Sequence, residues 1–326
     1  MVQSRSTPAK SADQSAVLGG EPRRLADEAS GKALERTRLR QTPGFYRRSW
    51  QRFRRNRIAV GALAVLFLIA LFVLSAGLIS RFVTGFTPSA NHLSDKLAPP
   101  FTGDYILGTD GNGRDVLTRL AYGGRISLMI AILATVATLF IGTTVALVSG
   151  YFGGWVDAVL MRLVDIILCV PGLPLLILIS ILFRPGPTGL ALILAAVSWP
   201  GIARIVRTEV LSLRKRDYID AARVVGVPAP LLLVRHILPN VAPLIVVFAS
   251  LAIPALILDE AVLSFLGLGV QVPTPSWGNM VQEGQRYFRG YPAITLIPGS
   301  LIYITSLCLY LFGSGVRDAF DPRMNT

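Results

Sequence analysis

Charge is scarce in this sequence: Asp, Glu, Lys and Arg make up 16% of 326 residues, against about a quarter in soluble domains. Six strongly apolar stretches hold none at all: Ile58–Ser80, Ile126–Val156, Ile166–Phe183, Pro185–Ala203, Ile237–Leu258 and Gly290–Val316. An uncharged apolar run of about 18 residues or more is long enough to cross a hydrocarbon core as a helix. Lipid offers no partner for a free N–H or C=O, so each run predicts a helix. Cysteine is nearly absent. Cys169 and Cys308 are the only two, both inside apolar runs, which excludes a disulfide framework and leaves two small apolar packers. No zinc-ligand spacing occurs, so no metal site is expected. A phosphate-binding G-x-x-x-x-G-K-[ST] is missing too, since Gly31-Lys32-Ala33 lacks both the upstream glycine and the hydroxyl. The chain is therefore expected to catalyse nothing and to bind no cofactor. A cleavable leader is not expected, because the first apolar run begins at Ile58 and is 23 residues long.

Positive charge is abundant, with a net of +13, and its placement is informative. Fourteen of the 32 Lys and Arg residues precede Ile58. With six spans and a cytoplasmic N-terminus, 24 of them fall inside and 8 outside. The excess of Lys and Arg on the cytoplasmic side predicts that orientation, with both termini inside. Residues 1–45 lack an apolar period and read as a disordered basic tail held at a membrane surface, not as a nucleic-acid binder. Residues 46–57 interleave aromatics with Arg, the pattern of an interfacial helix. The predicted order is then a first span over 58–80, an external segment over 81–125, a five-span core over 126–323 and a cytoplasmic end at 324–326.

Within the external segment, glycines at 108, 111, 113, 123 and 124 predict tight turns with positive φ. Asp110 and Asp115 are placed to cap or to pair with Arg114 and Arg119. Span three carries Pro171 and Pro174, which predict a kink near its middle. Arg162 and Asp165, three residues apart, are expected to pair along one helix face. Residues 184–188 form a short external turn.

The cytoplasmic segment 204–240 is the most informative, and its centre reads DYIDAARVVGVPAP. Asp217 is expected to cap a helix, with Asp220 in its first turn. Tyr218, Ala221, Ala222 and Val225 fall at i, i+3, i+4 and i+7 and form one apolar face. Gly226 is expected to end the helix, and Pro228 to block its continuation. Such a face can pack on loops of the same chain, but a groove on a partner protein is the better occupant.

These residues resemble a known loop. Asp220-Ala221-Ala222, Gly226 four residues on and Leu238-Pro239 beyond resemble the EAA loop of permease subunits of bacterial ATP-binding-cassette importers. The resemblance implies a coupling helix that seats in a cleft on the ATPase, carried here by Tyr218, Asp220, Ala221, Ala222, Arg223, Val225, Gly226 and Pro239. Asp220 replaces the usual Glu, and His236 stands where an apolar residue is general. The blocks WQRFRRNRIAVGAL, LGTDGNGRDVLTRLAYGGRISL, EAVLSFLGLGVQVPTPSWGNM and GSGVRDAFDPR look like the C-type subunit of dipeptide and oligopeptide importers, a branch that nickel importers share. Ser314 stands in the last block where an acidic residue is common, a change that nothing in the sequence explains.

The implied fold is an all-α membrane protein, a polytopic bundle of six transmembrane helices with a cytoplasmic coupling helix, similar to type I importers. The implied setting is the prokaryotic inner membrane. Implied partners are a second homologous permease, two cytoplasmic ATPase subunits that use the ATP, and an external binding protein. Asp259 and Glu260 are candidate pathway residues, about 10 Å inside the outer end of span five at 1.5 Å per residue. Either they face the pathway or the span ends early and leaves them at the interface. A secondary transporter without ATPases, or a scaffold that only docks a partner, would be the competing classes.

Overall fold

The computed structural model describes residues 53–320. The basic tail 1–45, most of the expected interfacial helix and the cytoplasmic end at 324–326 lie outside the described residues. Those that are described are almost wholly helical, with two isolated bridges, Thr102 to Tyr105 and Thr109 to Asp115, in one loop.

Helix α1 (Arg57–Leu74) starts where Asn56 accepts the Ala59 N–H at 3.1 Å. Its axis continues through Ala76–Leu78 and a wide-turned stretch, Ile79–Thr84, to Gly85 at φ 71°. Phe53, expected at the lipid headgroups, instead lies buried with its ring edge-on to Phe312 at 5.6 Å.

Helix α2 (Val116–Phe152) has 37 residues, about 55 Å at 1.5 Å per residue. It begins ten residues before the expected Ile126, so Gly123 and Gly124 are helical and form no turn. Gly108 and Gly113 do take positive φ, at 79° and 74°. Arg125, read as loop, snorkels within α2: its guanidinium donates to the carbonyl oxygens of Val73 and Leu74.

Helices α3 (Gly154–Cys169) and α4 (Gly172–Phe183) replace the single kinked third span, with 87° between them. Pro171 cannot donate to a helix and pushes Val170 into the extended conformation seen there, φ −92° and ψ 129°. Among the described residues, five helices are long and apolar enough to cross a membrane, six if the bent pair counts as one crossing.

Helix α5 (Pro187–Leu213) runs ten residues past its expected end at Ala203. The extension is held by ion pairs: Arg204 with Asp165 at 2.5 Å, and Arg207 with Asp157. Asp165 therefore pairs across to α5, not with Arg162 along its own helix. Short helix α6 (Asp217–Val224) follows, then α7 (Ala229–Phe265), continuous through wide turns at Leu233–Ile237. Helix α8 (Trp277–Gln285) opens on a reciprocal cap between Ser276 and Asn279, and α9 (Ala293–Phe320) closes the order.

The long helix α2 is the centre of the bundle. Ala131 and Leu120 pack with Ile257 of α7, Trp277 of α8 and Ile302 of α9. Further along α2, Gly142 lets α5 approach so closely that a Cβ there would sit 2.2 Å from Ile202. Outward positions such as Phe67, Leu68, Phe140 and Tyr303 stay apolar and exposed, as a lipid-facing or helix-facing surface requires.

Candidate functional sites

Helix α6 begins one residue earlier than its sequence suggests. Arg216 stands at the N-cap without a side-chain hydrogen bond, and Asp217 is the first helical residue rather than the cap. Asp217 and Asp220 still place two carboxylates in the first turn, against the positive end of the helix. The end is as expected. Gly226 has φ 87°; its N–H donates to the Arg223 carbonyl at 2.9 Å and that of Val227 to the Ala222 carbonyl at 3.1 Å. This paired closure needs a left-handed residue at 226. A Cβ at 226 would meet nothing within 4 Å, so handedness alone selects glycine there.

The single apolar face predicted for α6 is divided. Ile219, not singled out from the sequence, is fully buried among Val206 and Val210 of α5 and Leu232, Ile237 and Val241 of α7. Ala222, expected to face a partner, packs on that same cluster of its own chain. The i, i+3 spacing of Ile219 and Ala222 was the available signal. Tyr218, Ala221 and Val225 do point outward, and Val224 joins them; Tyr218 is 44% exposed, Val224 88% and Val225 82%. Arg223 pairs with Asp220 at 2.9 Å and lies over the Tyr151 ring. Pro239 lies in α7 immediately after the wide turns at Leu233–Ile237. Buried at Ile219 between α5 and α7, α6 is fixed to both long helices as one body.

Asp259 and Glu260 are neighbours on α7 with different surroundings. Glu260 is 1% exposed. It accepts from Ser127 Oγ of α2 at 3.0 Å and from Ser264 Oγ at 2.7 Å. Ser127 Oγ in turn accepts the Trp277 N–H at 3.2 Å, so Glu260 braces α2, α7 and the start of α8. Asp259 instead lines an open cavity of about 250 Å³ with Thr138 of α2, Ser198 and Ile205 of α5 and Phe248 of α7. The buried Thr138 hydroxyl has no partner among the described residues.

At the loop end of the bundle, Asp110, Arg114, Arg119 and Glu283 form one ion cluster. Arg114 Nε donates to Asp110 at 2.7 Å and Arg119 to Glu283 at 2.7 Å; Arg114 also reaches Glu283, and Arg119 reaches Asp110. Burial opposes the Asp110 charge, yet Arg119 and Arg114 beside it, with the backbone N–H groups of Arg114 and Asn112, hold its carboxyl below the ordinary value. Asp115 caps α2 by accepting the Thr118 N–H at 2.7 Å, and burial pushes its carboxyl up. The expected roles of Asp110 and Asp115 both appear. Glu283, 164 residues beyond Arg119, gave no local signal. Trp277 completes the seal: its indole N–H donates to the Leu120 carbonyl at 2.9 Å. Its ring lies where a Cβ on Gly124 would be 2.6 Å away.

Residues 142–326 match the family described as the binding-protein-dependent transport system inner membrane component, and residues 44–100 match the N-terminal transmembrane domain of oligopeptide transport permease C. The chain is 42% identical over 278 residues to the oligopeptide transport system permease protein OppC of Escherichia coli (strain K12), covering 84% of this chain and 91% of that protein. It is 34% identical over 304 residues to OppC of Bacillus subtilis (strain 168), covering 93% and 98%. To the dipeptide transport system permease protein DppC of Alkalihalophilus pseudofirmus it is 34% identical over 281 residues, covering 86% and 91%. A chain of the inward-facing MetNI methionine ABC transporter matches with a TM-score of 0.50 at 20% identity, covering 62% of this chain and 96% of that one, a likeness of fold.

Proposed function

Because the chain belongs to the family of inner membrane components of binding-protein-dependent transport systems, we propose that it is the C-type permease subunit of an ATP-driven importer of dipeptides and oligopeptides. Relatives named for those cargoes, at up to 42% identity along most of the chain, support the substrate class. The chain is a multi-pass inner-membrane protein; the charge asymmetry supports cytoplasmic termini, with α6 in the cytosol and α8 outside.

In this reading a second permease completes the pathway, two ATPase subunits hydrolyse ATP and an external binding protein delivers cargo. The work reaches this chain by contact, since its sequence has no phosphate-cradling motif. The observation that carries the coupling role is the divided face of α6. Ile219 fixes the helix to α5 and α7, while Tyr218, Ala221, Val224 and Val225 stay uncovered for an ATPase cleft. Closure of the ATPases would then move α5, α6 and α7 as a unit, which is a two-state change of access.

Asp259 is the pathway residue and Glu260 its structural neighbour. A carboxylate without an ion-pair partner among the described residues, lining an open cavity, suits a peptide's ammonium group. Uptake of a labelled dipeptide with a free amino terminus, and of its N-acetylated form, tests this in cells expressing the whole transporter. Asp259→Asn is expected to lower uptake of the free-amine peptide about tenfold, the scale of a lost charge-assisted hydrogen bond, and to spare the acetylated one. Equal effects on both would remove Asp259 from cargo recognition.

A further inference from the structure

A polar pocket of about 260 Å³ opens beside the ion cluster at the loop end of the bundle. Its lining includes Asp110, Asn112, Arg114, Glu283, Arg286 and Tyr287. Gly111 makes room for it: a Cβ there would lie 2.3 Å from the Tyr287 ring, so only glycine lets that ring stand at the pocket wall. The charges do not balance. Arg114 and Arg119 share the two carboxylates of Asp110 and Glu283. Arg286, just past the end of α8, adds a third guanidinium that has no ion pair or hydrogen bond among the described residues. Three guanidiniums against two carboxylates leave one positive charge unmet at an open mouth.

We propose that this pocket receives an acidic side chain of the external binding protein, seated on Arg286 and Arg114. The inference rests on the importer reading and on the placement of α8 outside the membrane. A carboxylate fits because a planar guanidinium binds it in two-pronged fashion, and because the volume admits a side chain rather than a peptide. Moving cargo is the poorer occupant: this pocket shares no lining residue with the Asp259 cavity, and its walls come from loop residues, from α8 and from Ile294 at the start of α9, whereas that cavity is bordered by α2, α5 and α7. The two carboxylates already in the cluster are neutralised by Arg114 and Arg119, so they do not repel an incoming third while Arg286 is present.

The test uses the assembled transporter in lipid with its ATPases, titrated with cargo-loaded binding protein while ATP hydrolysis is followed. Arg286→Glu is expected to raise the half-saturating concentration of binding protein about tenfold at low salt, because like charges then meet at the contact. High salt should shrink that difference. Arg286→Lys should recover most of the loss, and an acidic-to-Lys change on the binding protein should restore Arg286→Glu. A half-saturation unchanged in Arg286→Glu overturns the proposal, as does a defect seen only with peptides whose carboxyl end is free, which would make the occupant cargo. Wild-type ATPase activity that ignores the binding protein altogether would instead refute the importer reading on which it rests.

Discussion

The two ends of the molecule are finished differently. At the loop end, Trp277 and the four-residue ion cluster tie α2 to α8 with donors and acceptors supplied by the chain itself. At the α6 end, Ile219 is buried, yet Tyr218 beside it and Val224 and Val225 at the end of the same short helix stand in the open. A chain leaves large apolar side chains together in water when something else covers them. The core of the loop end is thus closed by the chain's own donors and acceptors, and the α6 end is left open as half of an interface would be. Substitutions should tell the two apart: within the buried ion cluster they should cost the fold, and on the exposed side of α6 only association.

The largest effect is expected at the cluster. Arg119→Leu removes one partner from a buried network and leaves Asp110 and Glu283 competing for Arg114. Breaking a buried pair from one side costs about 3–5 kcal/mol. A clear fall in the melting temperature of the detergent-purified protein is expected, and an unchanged melt would show that the loop end is not sealed by this network. Ile219→Asp comes next. It puts a carboxylate into the apolar cluster under α6, at a cost of several kcal/mol, but the damage should stay local. Amide exchange should quicken across 217–226 while the spans keep their protection; uniform loosening would mean that α6 is no separate unit. Asp165→Asn should do least. Its pair with Arg204 is half exposed, and such pairs contribute about 0–1 kcal/mol. A large loss of stability there would show that the α3 to α5 contact is buried in the assembly.

The same contrast governs what could be read from the sequence. The apolar runs gave the helices because lipid imposes a single solution on the backbone, and Pro171 marked the break in the third. Helix ends were harder to place. Arg119 and Arg125, and Arg204 and Arg207, looked like loop residues, yet they stay helical because distant carboxylates or carbonyls receive their charge. Those partners are tens to more than a hundred residues away, where no local pattern points. The 87° between α3 and α4 was equally hidden, since a proline predicts a break and packing sets its angle. In α6 the period, the first-turn carboxylates and Gly226 were legible. The orientation of Ala222 was not, because it depends on α5 and α7 offering an apolar seat to Ile219.

The central claim is that the outward face of α6 joins this permease to its ATPase. Val225→Arg tests it most directly. The residue is 82% exposed and stands at the C-cap of α6, where a positive charge suits the helix dipole. Its change should therefore alter stability by no more than about 0.5 kcal/mol. The account predicts normal amounts of permease in the membrane and an unchanged melting temperature. It also predicts that the ATPase subunits no longer copurify and that ATP-dependent peptide uptake is lost. Full retention of the ATPase and of uptake in Val225→Arg would contradict it.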